Sequence, residues 1–325
     1  MKAVISDYCK KNNQYVRLDE VSRPSLGQKE VLIKVVTASL NFADVSAIKG
    51  DYHALREEVF IPGFDCAGVV MDVGENVEGF SQGDRVAGFP NGGALAEYVS
   101  VNSHLTYRLP ENVSFDSAAS ILSIGVTAYE LAHKAAGVKE SERVLVHAAA
   151  GGVGLTLLQL LKRKQAKIFG TVGNEQKKRL IEQYGATKAI LYRSEDFETE
   201  IVHSTGGTGV DIVFDSVGGQ VFEKSLKCLA PYGKLITYGH ASGQPGRLLS
   251  TDLHSTSRSI VGYSSGQRQH ECPSSLRASA EKVLDLLSTE DLSTKISRKL
   301  SMVEVNTGFQ LMADRHNIGK IIITP

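Results

Sequence analysis

Arg143-Val144-Leu145-Val146-His147-Ala148-Ala149-Ala150-Gly151-Gly152-Val153-Gly154-Leu155-Thr156-Leu157-Leu158-Gln159-Leu160-Leu161 is the stretch that decides the fold. An apolar strand candidate, Arg143–Val146, runs into Ala149-Ala150-Gly151-Gly152-Val153-Gly154, a G-x-G-x-x-G frame with Ala149 in the first place, and a helix-compatible run follows. Glycines let the backbone turn tightly and approach a pyrophosphate, while the helix N-terminus presents free N–H groups and a positive dipole end. A lone glycine pattern is weak. Strand before, helix after and a second strand about 20 residues on read it as a dinucleotide loop rather than a tight turn.

Working outward toward the C-terminus, strand candidates at Lys167–Val172, 189–191, 211–214 and 234–237 alternate with amphipathic segments, among them 175–184. That alternation predicts a parallel, doubly wound α/β sheet. Toward the N-terminus, β-type runs at 31–36, 66–71, 84–88 and 95–99, punctuated by Gly and Pro, predict a coiled, partly barrel-like antiparallel unit. Ser114 is an N-cap candidate opening a helical connector that continues through 127–136. The tail carries helix candidates at 274–287 and 303–312 and a final strand at Lys320–Thr324.

Bulk numbers narrow the function classes. With 325 residues, 42% of them hydrophobic, the chain exceeds what one core usually fills. A formal net charge of +0 gives no global field to draw it onto nucleic acid or anionic membrane, which argues against both as partners. No apolar stretch approaches the roughly 18 residues of a membrane span, so a cytoplasmic location is expected. Cys9, Cys66, Cys228 and Cys272 are scattered singly, read as reduced thiols, and form no metal clip.

The second strand of the doubly wound unit chooses the cofactor. An acidic residue at its end would hydrogen-bond an unphosphorylated ribose, but here it ends Thr171-Val172-Gly173-Asn174, with no carboxylate before Glu175. Lys177 with Asn174 and the Gly173 amide would cradle a 2′-phosphate, which points to NADPH; Lys178 and Arg179 read as a solvated helix face.

Further segments carry a family likeness: 40–44 (Leu-Asn-Phe-Ala-Asp), 61–70 (Ile-Pro-Gly-Phe-Asp-Cys-Ala-Gly-Val-Val), Val73-Gly74, 83–86 (Gly-Asp-Arg-Val), 148–154, 170–173, Gly185-Ala186, 211–219 and Asn317-Ile318-Gly319-Lys320. In this order the chain resembles, end to end, the quinone oxidoreductase (zeta-crystallin-like) branch of the zinc-free medium-chain dehydrogenase/reductase superfamily. The resemblance implies a GroES-like catalytic domain, 1–123, a Rossmann domain, 124–262, and a return to the catalytic domain, 263–325. Zinc-dependent relatives carry a Cys ligand near Asn41 and Gly-His-Glu where this chain reads Gly63-Phe64-Asp65, so the resemblance implies no metal.

By matched segments, NADPH contacts are expected from Asn41, Thr127, Gly151, Gly152, Val153, Gly154, Gly173, Asn174, Lys177, Tyr192, Ser216, Tyr238, Gly239 and Asn317; Thr127 and Ser216 read equally well as capping or turn residues. The catalytic candidates are Tyr52, as donor to a carbonyl oxygen, Asn41, holding a carboxamide or carbonyl, and Asp44, orienting them. Each has a plainer reading: loop anchor, helix cap and first-turn dipole partner respectively. His53 reads as a surface residue rather than a proton donor. Many members of the branch have a second Tyr where this chain has Ser46, which weakens an aromatic-quinone assignment. The resulting expectation is hydride transfer from NADPH to a quinone or α,β-unsaturated carbonyl. The alternatives are reduction of a 2-enoyl thioester or alkenal and, in a different class, an NADPH-binding or RNA-associated protein without enzymatic activity. A homodimer near the strand Ser259–Gly262 is expected from the same resemblance.

Overall fold

A computed structural model describes residues 1–9, 14–51 and 59–325. In chain order its elements begin with β1 (Lys2–Cys9), β2 (Gln14–Glu20), β3 (Glu30–Leu40), α1 (Phe42–Ile48), β4 (Cys66–Val73), β5 (Arg85–Gly88), β6 (Tyr98–Asn102), β7 (Thr106–Arg108) and α2 (Phe115–Tyr129). There follow β8 (Arg143–Val146), α3 (Gly152–Arg163), β9 (Lys167–Val172), α4 (Glu175–Gln183), β10 (Lys188–Leu191), α5 (Phe197–Ser204), β11 (Val210–Asp215), α6 (Gly219–Cys228), β12 (Leu229–Thr237), α7 (Thr251–His254) and β13 (Ser259–Gly262). The tail is α8 (Ser265–Glu271), α9 (Arg277–Ser288), β14 (Ile296–Ser301), α10 (Val305–Ala313) and β15 (Lys320–Thr324). These fall into two units, Met1–Val126 with Ser265–Pro325, and Thr127–Ser264.

The first unit is organised by β3. Val31, Ile33 and Val35 are buried while Lys34 and Val36 face water, the period-2 signature of a half-covered strand. Beyond Val36 both faces are covered, and Ala38, Ser39 and Leu40 pair antiparallel with Ile323, Ile322 and Ile321 of β15. The sheet runs β14-β15-β3-β4-β5-β7, with β6 also on β3. Closure of the last strand on the third sets Lys320, at the start of β15, beside Asn41, which follows β3.

Several sequence expectations are adjusted here. Residues 95–97 are not in the sheet strand expected over 95–99; β6 starts at Tyr98, because Leu95 and Ala96 bond instead to Val4, Pro62 and Ala3. The β1–β2 hairpin was not expected, nor was β14, whose sequence Ile-Ser-Arg-Lys-Leu-Ser has no clear period. The connector helix stops at Tyr129 and continues as one π-helical turn, Glu130–Ala135. The tail helix begins at Arg277 rather than 274, after a 3-10 turn, Pro273–Leu276.

The second unit is one parallel sheet in spatial order β10-β9-β8-β11-β12-β13, the doubly wound arrangement in which strand order reverses beside the first strand, here β8. Val144, Leu145 and Val146 are fully buried, as parallel strands covered on both faces require. Ligands of such sheets bind outside the carboxyl ends of the strands at that reversal. Among the described residues no helix is long and apolar enough to cross a membrane.

Candidate nucleotide and acceptor sites

The loop after β8 is pinned to both neighbouring strands. His147 N–H donates to Phe214 O at 3.0 Å on β11, and Ala149 N–H to Thr171 O at 3.1 Å on β9. Ala148 takes a left-handed conformation at φ +49°, and the Gly151 N–H folds back to its carbonyl at 2.9 Å. α3 then starts with Gly151 as N-cap, and its first intrahelical bond runs from the Leu155 N–H to Gly151 O at 2.9 Å. The N–H groups of Gly152, Val153 and Gly154 thus belong to the turn that a helix cannot satisfy itself, the geometry that receives a phosphate. Gly154 has no substitute: a Cβ there would lie 2.6 Å from Ala149 O and 2.7 Å from Ala148 O.

The other expected nucleotide contacts in this unit lie at the carboxyl ends of neighbouring strands. Gly173 and Asn174 follow β9, Tyr192 follows β10, Ser216 follows β11, and Tyr238 and Gly239 follow β12. A Cβ at Gly173 would lie 2.9 Å from the Tyr192 hydroxyl, so the bare glycine is what lets the phenol cover this strand end. Asn174 is the N-cap of α4: its Oδ1 accepts the Lys177 N–H at 2.9 Å, which leaves its Nδ2 for a ligand. Lys177 is on the first turn of α4. The Tyr238 hydroxyl bonds the Ser216 side chain, and burial holds its pKa above the usual phenol range. Thr127, in α2, is buried.

The first unit holds a separate polar cluster. Asp44 is fully buried in α1; its Oδ2 accepts the Asn41 N–H at 2.8 Å and its Oδ1 the Gly63 N–H at 2.7 Å. Burial pushes its carboxyl up to about 7, against those two bonds and the Lys320 charge. With both oxygens engaged by backbone, Asp44 ties the turn carrying Asn41 to Gly63. Asp65, also fully buried, accepts from Ser123 N–H at 2.7 Å, Ser123 Oγ at 2.7 Å, Ser39 Oγ at 3.0 Å and Asn41 Nδ2 at 2.6 Å. Lys320 Nζ reaches Asn41 Oδ1 at 2.6 Å and lies 3.5 Å from Asp65 Oδ2. Burial pulls the Lys320 pKa down, and the two carboxylates oppose that.

Of the expected catalytic residues, the fold thus brings Asn41 and Asp44 together; Tyr52 and His53 lie outside the described residues. Asn317, three residues before Lys320, donates from Nδ2 to Gly319 O at 3.3 Å. Sequence reasoning passed over Lys320, Asp65, Ser123 and His147. A lysine opening the apolar run Lys-Ile-Ile-Ile-Thr was the available signal, since a charge on a buried strand needs a partner.

Two family descriptions match stretches of this sequence. The alcohol dehydrogenase GroES-like domain matches residues 27–111 and the zinc-binding dehydrogenase family matches residues 152–281. A quinone oxidoreductase-like protein 2 homolog of Nematostella vectensis is 33% identical over 312 residues, covering 94% of this chain and 84% of that protein. The chain belongs to the quinone oxidoreductase branch of the medium-chain dehydrogenase/reductase superfamily. Another relative of this oxidoreductase is the 2-haloacrylate reductase of a Burkholderia species, 30% identical, with 94% of each chain covered. The Escherichia coli quinone oxidoreductase solved with NADPH superposes on the oxidoreductase with a TM-score of 0.92 at 26% identity, covering 100% of both chains. Among the described residues no three His, Cys, Asp or Glu side chains are grouped to hold a metal. Cys66 and Cys228 are free and buried, which pushes each thiol up to about 12; Cys272 is free and exposed.

Proposed function

We propose that this oxidoreductase passes a hydride from NADPH to the electrophilic carbon of a quinone or an α,β-unsaturated carbonyl compound, without a metal ion. The observation carrying the cofactor choice is the end of β9: no carboxylate stands there, Gly173 leaves room for the Tyr192 hydroxyl at 2.9 Å from its Cβ position, and Lys177 is on the adjoining first turn. A carboxylate 4 Å from a 2′-phosphate would cost about 4 kcal/mol per unit charge pair in a moderate dielectric. When bound, the nicotinamide supplies the hydride. The chain's own groups hold the pyrophosphate on the Gly152–Gly154 amides, the 2′-phosphate on Lys177, the Asn174 amide and Tyr192, and the acceptor oxygen on Asn41 Nδ2 and the Tyr52 hydroxyl.

Zinc does not fit the side chains present. Where zinc relatives have ligands, Phe64 is buried and offers no lone pair, and the Asp65 carboxylate already accepts from Ser39, Ser123 and Asn41, with the Lys320 ammonium 3.5 Å away repelling a second cation. Without a Lewis acid to polarise an alcohol, plain alcohol dehydrogenation is disfavoured. A reductase of conjugated double bonds, acting on enoyl thioesters or alkenals, is the second reading; the 2-haloacrylate reductase relative and Ser46 in place of an aromatic residue favour it. In either case the protein acts as a homodimer through β13, the outermost strand of its sheet, in the cytoplasm.

Steady-state NADPH oxidation with benzoquinone, a 2-alkenal and a crotonyl thioester separates the readings, and no turnover on any of them refutes both. A fluorescence titration with NADPH and NADH, repeated on Lys177→Ala, tests the cofactor choice. Preference for NADPH is expected to fall at least tenfold in the variant, about 1.4 kcal/mol; equal affinities for both dinucleotides in the wild type would refute it.

A further inference from the structure

An ammonium can only donate a hydrogen bond and an ionised carboxylate can only accept one. The Asn41 amide lies between one of each: Lys320 Nζ is 2.6 Å from its Oδ1, and Asp65 Oδ2 is 2.6 Å from its Nδ2. Turning the amide over would set its NH2 against the ammonium and its oxygen against the carboxylate, losing both bonds and creating two repulsions in a buried site. Neither clamp is loose. Lys320 is 4% exposed, and Asp65 is fixed by Ser39 and by both the N–H and the hydroxyl of Ser123. One Nδ2 hydrogen is spent on Asp65, and Asn41 itself remains partly exposed.

We propose that Lys320 is a positioning residue which, with Asp65, locks the Asn41 amide so that it offers a ligand an N–H and never its oxygen. The atom Asn41 serves is therefore a hydrogen-bond acceptor, the carbonyl or quinone oxygen of an oxidised substrate or the carbonyl of a carboxamide. This rests on the reading of Asn41 as a ligand contact. In this role Lys320 acts 279 residues away in sequence, through its bond to Asn41 and its charge beside Asp65.

The test has two arms. In the 15N spectrum of the protein without ligand, the Asn41 side-chain amide, assigned by its disappearance in Asn41→Ala, should show one downfield Nδ2 proton protected from solvent exchange. Lys320→Met should abolish that asymmetry and speed exchange on the order of tenfold, the loss of one net hydrogen bond; Lys320→Gln, which keeps an uncharged donor, should restore it. Should Lys320→Met not fold, Asp65→Asn loosens the same amide from the other side and should have the same effect. An unchanged Asn41 amide in the variant that folds overturns the proposal. In the kinetic arm, Lys320→Met should lower kcat/KM for an enone on the order of tenfold and should have no further effect in an Asn41→Ala background. Losses that add across the two backgrounds mean a merely structural lysine and overturn it as well. A wild type that reduces no acceptor refutes the proposed function, while the amide spectrum still decides the clamp.

Discussion

His147 is 1% exposed at the carboxyl end of β8, with Thr171 Oγ1 at 3.0 Å from Nδ1, Ser225 Oγ at 2.8 Å from Nε2, and the Phe197 ring edge-on at 4.8 Å. The Ser225 hydroxyl gives its only hydrogen to Val221 O at 2.6 Å, so it must accept from Nε2–H; Nδ1 then accepts from Thr171, and the ring is neutral. Burial lowers its pKa to about 3. Because the unfolded chain binds the proton first on acidification, stability from this group is complete above about pH 6.5 and is lost as pH falls toward 3, at about 1.4 kcal/mol per pH unit. Between pH 4 and pH 7 the raised Asp44 carboxyl contributes a slope of opposite sign, so the His147 contribution is read from the variant: in urea denaturation His147→Asn should lower the slope of stability against pH by one proton relative to the wild type. At Gly154 the expected outcome is functional: in Gly154→Ala the new Cβ must push on the Ala149 carbonyl 2.6 Å away, displacing the helix start. NADPH affinity measured by fluorescence should fall at least tenfold, about 1.4 kcal/mol. This loop was legible because its spacing is local. His147 was not, because its partners come from β9 and α6.

Strands β8 and β11 flank the reversal of the sheet, and their amino ends are tied together. Arg143 donates to Asp211 from Nε at 3.0 Å and from Nη2 at 2.7 Å, and its N–H donates to the same carboxylate at 2.8 Å. That fork lies at the end of the strands opposite the phosphate loop. Arg143→Ala should cost about 1 kcal/mol in chemical denaturation, a charge-assisted pair discounted for partial exposure, and leave NADPH affinity unchanged. A loss of affinity would mean that strand register, not only loop geometry, sets the site. Helix α1 shows the converse dependence: it has seven residues, and its first turn is held by Asp44 bridging Asn41 and Gly63. Gly63 sits at φ +106°, with a Cβ position 2.7 Å from Leu95 N, so this element exists through contacts that no periodicity announces.

Ligand binding to the folded chain raises its stability by mass action, about 2.7 kcal/mol at a ligand concentration of one hundred dissociation constants. NADPH should therefore raise the melting temperature measurably, and NADH at equal concentration should raise it less; equal shifts would count against recognition of the 2′-phosphate. Sedimentation velocity at micromolar concentration should return about twice the 35.1 kDa chain mass, the expectation for pairing through β13. A 35.1 kDa species would remove the dimer from the proposed function.

The sequence by itself determined the parallel sheet, the dinucleotide loop and the absence of an acid after Val172, since each is a pattern of near neighbours along the chain. The run 31–36 was also readable as a strand because one covered face imposes a period of two, while 66–71 and 84–88, buried on consecutive residues, were readable from short apolar runs set off by glycine. The tertiary structure alone decided what Asn41 presents to a ligand. Its amide orientation depends on a carboxylate 24 residues away and an ammonium 279 residues away, brought together only when β15 pairs with β3. Hydrogen-bond direction in a buried cluster is set by which donors and acceptors meet in space, and no local period encodes that meeting.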